Sequence, residues 1–465
     1  MTAGGAWETV VGLEVHCELA TASKLFCGCR NAFGDEPNTD ICPVCLGLPG
    51  SLPVVNEAAV ELAMRIGTAL NCEIRPSLFH RKNYFYPDMP KDYQVSQYDE
   101  PINVNGHLDL PDGSRVGIVR AHIEEDTGKT THIGESGRIH GAAYALVDYN
   151  RAGVPLVEIV SAPDIRSGEQ AKAYVNELRA ILVAIGASDA RMEEGSLRID
   201  ANVSVRPAPA GAPLGTRAEI KNLNSVRSLT RAVDYEARRQ AELLEAGGRV
   251  VQETRHWDEN AGRTSTLRSK EEAEDYRYFP EPDLAPLDVK AAVVLPKLPA
   301  ERRADLAARA GVAPVDTQLV VEAGLDDLVA AAVQAGVEPR LALTRAANEV
   351  AGRTEAPDAA AFVATLRLEQ EGTLTATQSK QVLARVVGGG DPAAVARELG
   401  FEALAAGALA STVDATIAAH VEEWNRYQMG EDKLTGFFVG KVMAATGGKA
   451  DGRAVTALLR ERRGS

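Results

Sequence analysis

The chain has 465 residues, 45% apolar and 25% charged, with a formal net charge of −15. These values exclude a disordered chain and a protein whose whole surface binds nucleic acid, while leaving room for a local basic patch. Met1–Val11 lacks a basic-then-apolar leader and no run of about 18 apolar residues occurs, so the chain is expected to be cytoplasmic, without a membrane span, and its cysteines to be metal ligands or free thiols.

The length allows roughly two to four domains. From Trp7 to about Pro296 the pattern is strand-rich with a few helices. In Leu13–Leu19, Leu13, Val15, Cys17 and Leu19 are apolar, while Glu14, His16 and Glu18 share the other face. That alternation fits a solvated strand edge as well as a site. Next come Cys27-Gly28-Cys29 and, after twelve intervening residues, Cys42-Pro43-Val44-Cys45. Two close pairs give four thiolates suited to tetrahedral zinc, and a filled shell makes that zinc structural. Asn56–Leu70 carries apolar residues at helical spacing. His80–Tyr93 interleaves aromatics and cations in a Pro-broken loop, suited to stacking on a base, to lining a polar conduit, or to ordinary packing.

Strand alternation returns at His107–Leu110 and Val116–Ile123, with turn signals at Asn105-Gly106 and Asp112-Gly113 that predict hairpins. Glu124-Glu125-Asp126 ends the second of these strands. Glu158 sits inside the apolar run Pro155–Val160, where a lone carboxylate is costly without a cation or hydrogen bonds. A helix is predicted over Ser167–Ile185, with Ser167 as N-cap. In Ser196–Arg206 the apolar face of Leu197, Ile199, Ala201, Val203 and Val205 leaves Arg198, Asp200, Asn202 and Ser204 opposite. Glu219–Ser225 offers a cation and amides, either for a phosphate or carboxylate or within a salt-bridged turn. Ser228–Glu245 reads as a helix closed by Gly247-Gly248. The composition shifts near Leu295–Pro299 to Ala-rich short helices, with a further boundary near Gly400–Gly407. Lys433–Ser465 is basic against an acidic whole.

Carboxylates with one imidazole suit a hard divalent cation such as Mg²⁺, and hence phosphoryl transfer. No P-loop accompanies them: Gly128-Lys129-Thr130 has Ile123 where the first glycine belongs.

Taken together, Val10–Glu18, Lys82–Gln97, His122–Lys129, Asp148–Ser161, Glu193–Asn202, Glu219–Ser225, Gln252–Arg255 and Asp275–Leu284 resemble the GatB family of aspartyl/glutamyl-tRNA amidotransferase subunits. The resemblance implies an α+β fold: an antiparallel-sheet-rich catalytic cradle at 1–296 with a zinc knuckle inserted at 27–45, an all-α helical domain at 297–405, and a small helical tail at 406–465 that binds tRNA. It implies an ATP- and Mg²⁺-dependent enzyme that phosphorylates the side-chain carboxylate of Glu-tRNA(Gln) or Asp-tRNA(Asn). Ammonia from a partner amidase subunit of the GatA type, in a heterotrimer with a small GatC-type subunit, then displaces the phosphate. Carried onto this chain, the family pattern makes Glu14, His16, Glu125 and Glu158 the magnesium ligands, with Glu124 competing for the place of Glu125. Asp200 is a further ligand or water-holder. Asn150, Arg151, Arg198, Lys221 and Asn222 are weaker candidates for contacts to phosphate or the aminoacyl end. Cys27, Cys29, Cys42 and Cys45 match the zinc-bearing members, and Lys433, Lys441, Lys449 and Arg453 are expected to meet tRNA phosphates. Gly134–Ala143 is longer than the usual pattern and reads as a surface insert. The reading from another class is a non-catalytic tRNA-binding scaffold with a structural zinc and a solvated acidic face.

Overall fold

A computed structural model describes residues 7–134, 142–208, 211–269, 275–289, 293–353, 355–387, 389–401, 406–447, 450 and 452–464. The Gly134–Ala143 insert lies largely outside these residues, as does Lys449. The chain divides into two compact units, Met1–Leu298 and Pro299–Ser465.

The first unit runs β1 (Trp7–Glu18), α1 (Glu57–Ala69), β2 (Glu73–Ile74), β3 (His80–Asn83), β4 (Tyr93–Ser96), β5 (Asn103–Asp109), β6 (Arg115–Glu125), β7 (Lys129–Ile133), β8 (Tyr144–Asp148), β9 (Pro155–Ser161), α2 (Gly168–Ala184), β10 (Leu197–Pro207), β11 (Ala218–Lys221), α3 (Val226–Glu245), β12 (Glu253–Asp258), β13 (Arg263–Ser269) and β14 (Phe279–Pro280). Twelve strands form one sheet in the order β13-β12-β11-β10-β1-β9-β6-β4-β3-β14, with β5 and β2 branching from β6. Among the described residues its pairings are antiparallel except β11–β12. β7 and β8 form a separate hairpin.

The two faces of the sheet differ because its strands alternate. Val11, Leu13, Val15 and Cys17 of β1 and Leu197, Ile199, Ala201 and Val203 of β10 are buried in one core with Tyr174, Leu178 and Leu182 of α2 and Leu229 and Val233 of α3. The helices form where the sequence places them. Asn56 and Ser167 cap α1 and α2 by accepting from Ala58 and Gln170 backbone N–H groups. Ser225 caps α3 by accepting from the Ser228 N–H, so the helix begins at Val226, two residues before the start read from the sequence. Covering one face with helices leaves the polar side chains of β1, β9, β6 and β10 on the other.

One predicted turn is not a turn. Asn105-Gly106 lies inside β5, where Val104 pairs with Arg120 and Gly106 with Ile118. Asn105 takes a left-handed φ of 56° without breaking the ladder. Gly106 answers a packing demand: a Cβ there would lie 2.4 Å from both the Leu70 carbonyl oxygen and Cys72 Sγ. Asp112-Gly113 does make the β5–β6 turn, with Gly113 at φ 84°.

The second unit is helical: α4 (Pro299–Ala310), α5 (Gln318–Glu322), α6 (Asp326–Gln334), α7 (Pro339–Arg345), α8 (Ala359–Gln370), α9 (Ala376–Arg385), α10 (Pro392–Glu398), α11 (Ala406–Ala419), α12 (Val421–Gln428), α13 (Leu434–Ala445) and α14 (Gly452–Gly464). Its described residues form two hydrophobic clusters. One is built around Val329, Phe362, Leu366 and Val382, the other around Val413, Tyr427, Phe438 and Leu459. No helix among the described residues is long and apolar enough to cross a membrane.

Candidate active site

Strand register assembles the site. On β1, His16 lies opposite Glu158 of β9 and opposite Arg198 of β10. On β6, His122 lies opposite the same Glu158. Arg198, His16, Glu158 and His122 therefore make one row across four adjacent strands. The next row brings Asp200, Glu14, Val160 and Arg120 into line. Glu124, two residues beyond His122 on the same face, reaches back so that its Oε1 stands 3.5 Å from His16 Nε2.

His16, Glu124 and Glu158 each offer a ligand atom within 4.8 Å of the others, and so do Glu14, Asp200 and Glu219 beside them. Both groups line one cavity of about 1440 Å³. Magnesium–oxygen bonds of 2.0–2.1 Å put cis and trans ligands about 2.9 and 4.2 Å apart, and the 3.5 Å between His16 Nε2 and Glu124 Oε1 falls in that range, so the first group could hold a hard divalent cation. Its electrostatics fit too. Burial, with repulsion from Glu158, pushes the Glu124 carboxyl up to about 8. Burial, with repulsion from Glu14, pushes Glu158 up to about 7. Burial holds His16 down at about 3, and Arg198, Lys221 and Lys82 push it the same way, which leaves a neutral imidazole with a free lone pair. Crowded carboxylates beside a neutral imidazole are what a cation would relieve.

The cation-bearing rim is braced by acids. Lys221 Nζ bonds Asp200 at 2.6 Å and Glu219 at 3.0 Å. Burial opposes the charge on Lys221, yet Asp200 and Glu219 raise its pKa. Arg198 bonds Asp126 at 2.8 Å, and Arg151 approaches the same carboxylate at 3.3 Å while donating to the Thr127 and Gly128 carbonyls. Glu14 accepts from the Asn202 amide at 2.9 Å. Asn222, at φ 69°, lines the cavity and donates to the Trp257 carbonyl at 3.0 Å.

Two expected site residues are elsewhere. Glu125 does not join His16 and Glu158. Along β6, Ala121, Ile123 and Glu125 face away from His122 and Glu124, after an irregularity between Ile118 and Arg120 sets the phase. Glu125 instead pairs with Lys91 and accepts from the Val95 N–H at 2.9 Å. Asn150 points at the cysteine loop, accepting from Asp40 N–H at 2.9 Å and donating to the Glu36 carbonyl at 2.7 Å.

That loop holds the second candidate metal centre. The Sγ atoms of Cys27, Cys29, Cys42 and Cys45 all lie within 4.8 Å of one another, and Cys42 and Cys45 are 3.9 Å apart. Zinc–sulfur bonds of 2.3 Å in a tetrahedron put sulfurs about 3.8 Å apart, so the set fits zinc. The fully buried Lys24 ammonium stands 3.9 Å from Cys45 Sγ and bonds the Asp40 carbonyl at 2.8 Å.

Residues 9–295 match the model of the GatB/GatE catalytic domain, and residues 327–462 match that of the GatB domain. The chain belongs to the GatB/GatE family. It is 53% identical to the B subunit of the aspartyl/glutamyl-tRNA(Asn/Gln) amidotransferase of Frankia casuarinae, over 98% of this chain and 96% of that one. It is 50% identical to the corresponding protein of Nocardia farcinica, over 97% and 95% of the two chains. It is 49% identical to that of Salinispora arenicola, over 99% and 97%.

Within this GatB/GatE cradle, the structure adds residues that sequence reasoning passed over. His122 is fully buried against Glu158. Lys82 faces the cluster and opposes the upward shifts of both Glu124 and Glu158. Asp126 links Arg151 to Arg198. The available signal for His122 and Glu124 was their alternation with Ile123, which places both on one face. Glu18 is drawn up to about 7 by burial and by Asp126, and it does not join either ligand group. In the second unit, Lys433 and Lys441 are exposed, with Lys441 over the Phe437 ring at 5.4 Å. The side chain of Arg453 is outside the described residues.

Proposed function

We propose that this chain is the tRNA-binding, carboxylate-activating subunit of a tRNA-dependent amidotransferase, converting Glu-tRNA(Gln), Asp-tRNA(Asn) or both to the amidated forms with ATP. The observation that carries this reading is the His16–Glu158 row with Glu124, set in a large cavity rimmed by Lys82, Arg198 and Lys221, in a chain of this family.

A side-chain carboxylate is a poor acyl donor, and transfer of the ATP γ-phosphoryl to one of its oxygens gives it a leaving group. The carboxylate oxygen bonds to phosphorus as ADP leaves. Ammonia then bonds to the acyl carbon as the acyl–oxygen bond breaks, and the proton lost from nitrogen leaves with the phosphate. Mg²⁺ held by His16, Glu124 and Glu158 would supply positive charge to the phosphoryl oxygens. The protein's own part is positioning. Arg198 and Lys221 present cations fixed by Asp126 and by Asp200 with Glu219. Lys82 adds a third charge, with its ammonium 4.8 Å over the Tyr276 ring. Ammonia is supplied by a partner amidase subunit, in a cytoplasmic assembly with a small third subunit. The four cysteines hold structural zinc, and the basic end of the second unit meets the tRNA body.

The test is reconstitution with an amidase subunit and the small third subunit, supplying each misacylated tRNA in turn. ATP hydrolysis stimulated by the misacylated tRNA, with amidated product, is expected. Tight tRNA binding with no ATP turnover would favour the scaffold reading instead.

A further inference from the structure

His122 is a buried histidine on the cavity face of the sheet, next to the candidate ligands, and the proposed chemistry leaves it without a task. Its side chain is fully buried, and neither ring nitrogen makes a hydrogen bond. Leaving both unsatisfied is costly in a core, and such orphans call for an explanation. The nearest acceptors are the two carboxylates of the site. His122 Nε2 lies 3.3 Å from Glu158 Oε2 and 3.8 Å from Glu124 Oε2. Glu124 thus spans two imidazoles, with Oε1 toward His16 and Oε2 toward His122. On its other side His122 meets the Tyr98 ring edge-to-face, with centroids 6.1 Å apart, and Tyr98 is stacked on Tyr278 at 5.6 Å. The ring is walled in, and its polar edge has carboxylates as company.

We propose that His122 is a positioning residue: its Nε2–H holds one oxygen each of Glu158 and Glu124, leaving their remaining oxygens to share a cation with His16. A neutral imidazole has a single N–H, and the nitrogen between two carboxylates is the one that carries it. Partners behind a ligand fix its orientation and its basicity, and their loss typically weakens metal binding about 10- to 100-fold. Contacts that are long or bent in the free site close when a cation draws the carboxylates together. The inference rests on the reading of His16, Glu124 and Glu158 as cation ligands.

Two substitutions separate positioning from mere packing. The amide nitrogen of Gln reaches the place of Nε2, whereas that of Asn reaches the place of Nδ1. Both variants bury one amide, so their folding burdens are alike. Mn²⁺ is titrated by electron paramagnetic resonance into the full chain freed of exchangeable divalent cations with its thiolate metal retained, with Glu158→Gln as the control that assigns the signal. His122→Gln is expected to bind within about threefold of the native chain and His122→Asn to bind at least about tenfold more weakly. Equal affinities for the two variants, or native affinity in His122→Asn, overturn the inference while leaving the cation site intact. Absence of Mn²⁺ binding to the native chain, or binding unchanged in Glu158→Gln, overturns the site reading and the inference together. Spectra of the ¹⁵N-histidine-labelled native chain, which involve no substitution, are expected to report the Nε2–H tautomer of His122. The Nδ1–H tautomer would sink the proposal even if a variant fails to fold.

Discussion

Two of the candidate metal centres in the cradle are built on opposite principles. The four cysteines come from one loop of nineteen residues, Cys27–Cys45, and present four soft ligands with no vacant position. His16, Glu124 and Glu158 come from three strands far apart in sequence and present hard ligands beside a large cavity. The first is closed and local, suited to holding a loop. The second is open and assembled by the sheet, suited to holding a cation with its substrate. The two centres would do different work: a thiolate metal would staple a loop, and a hard cation would serve a substrate in the cavity.

This contrast predicts where metal removal does most damage. Cys45→Ser, or stripping the thiolate metal, should cost on the order of 10 kcal/mol of local folding free energy in the loop. The expected result is lost zinc and rapid proteolysis between Cys29 and Cys42, with the strand core persisting. A loop that stays protected without zinc would erase the distinction between the centres. At the other centre, Glu158→Gln should leave the fold and the zinc in place. It should lower tRNA-stimulated ATP hydrolysis by about 10³-fold, the scale of several kcal/mol of transition-state charge stabilisation. Turnover within a few-fold of the native complex would remove Glu158 from the site.

The next comparison lies within one strand. Glu124 and Glu125 are neighbours on β6, yet one faces the cavity and the other faces Lys91. Glu124→Gln should weaken Mn²⁺ binding about 10- to 100-fold, with little effect on melting. Glu125→Gln should keep Mn²⁺ affinity and lower the melting temperature, because it removes the buried anion that pairs with the Lys91 ammonium. The reverse pattern would restore Glu125 as a ligand.

These two carboxylates also mark how far the sequence could be read. The cysteine spacing was legible because its ligands are close along the chain. The alternation of β1 and β10 was legible for the same reason, and it put Glu14, His16, Arg198 and Asp200 on one face. Which strands stand beside β1 was not legible. The pairing of His16 with Glu158, and of Glu158 with His122, depends on β9 lying between β1 and β6, and no local pattern encodes that order. The β6 phase was obscured by the irregularity between Ile118 and Arg120, so resemblance favoured Glu125 where alternation with Ile123 favours Glu124. Asn105-Gly106 misled because a strong turn signal served a close backbone approach instead.

The smallest expected effect falls on Asn150, which joins the two kinds of region. It follows β8 and clamps the cysteine loop through the Asp40 N–H and the Glu36 carbonyl. A substrate contact and a loop clamp make different demands of the same amide. If Asn150 clamps, Asn150→Ala removes one partly buried and one exposed hydrogen bond, together worth about 1 kcal/mol. The melting temperature should fall by a few degrees, roughly 2–4 °C per kcal/mol for a unit of this size. Zinc exchange should quicken, while the KM for ATP and for misacylated tRNA should not move. If Asn150 instead touches substrate, the KM rises and zinc exchange stays as it was. The two hydrogen bonds to the loop favour the first outcome, because an amide that has already spent its carbonyl and one N–H on backbone has little left to offer a ligand.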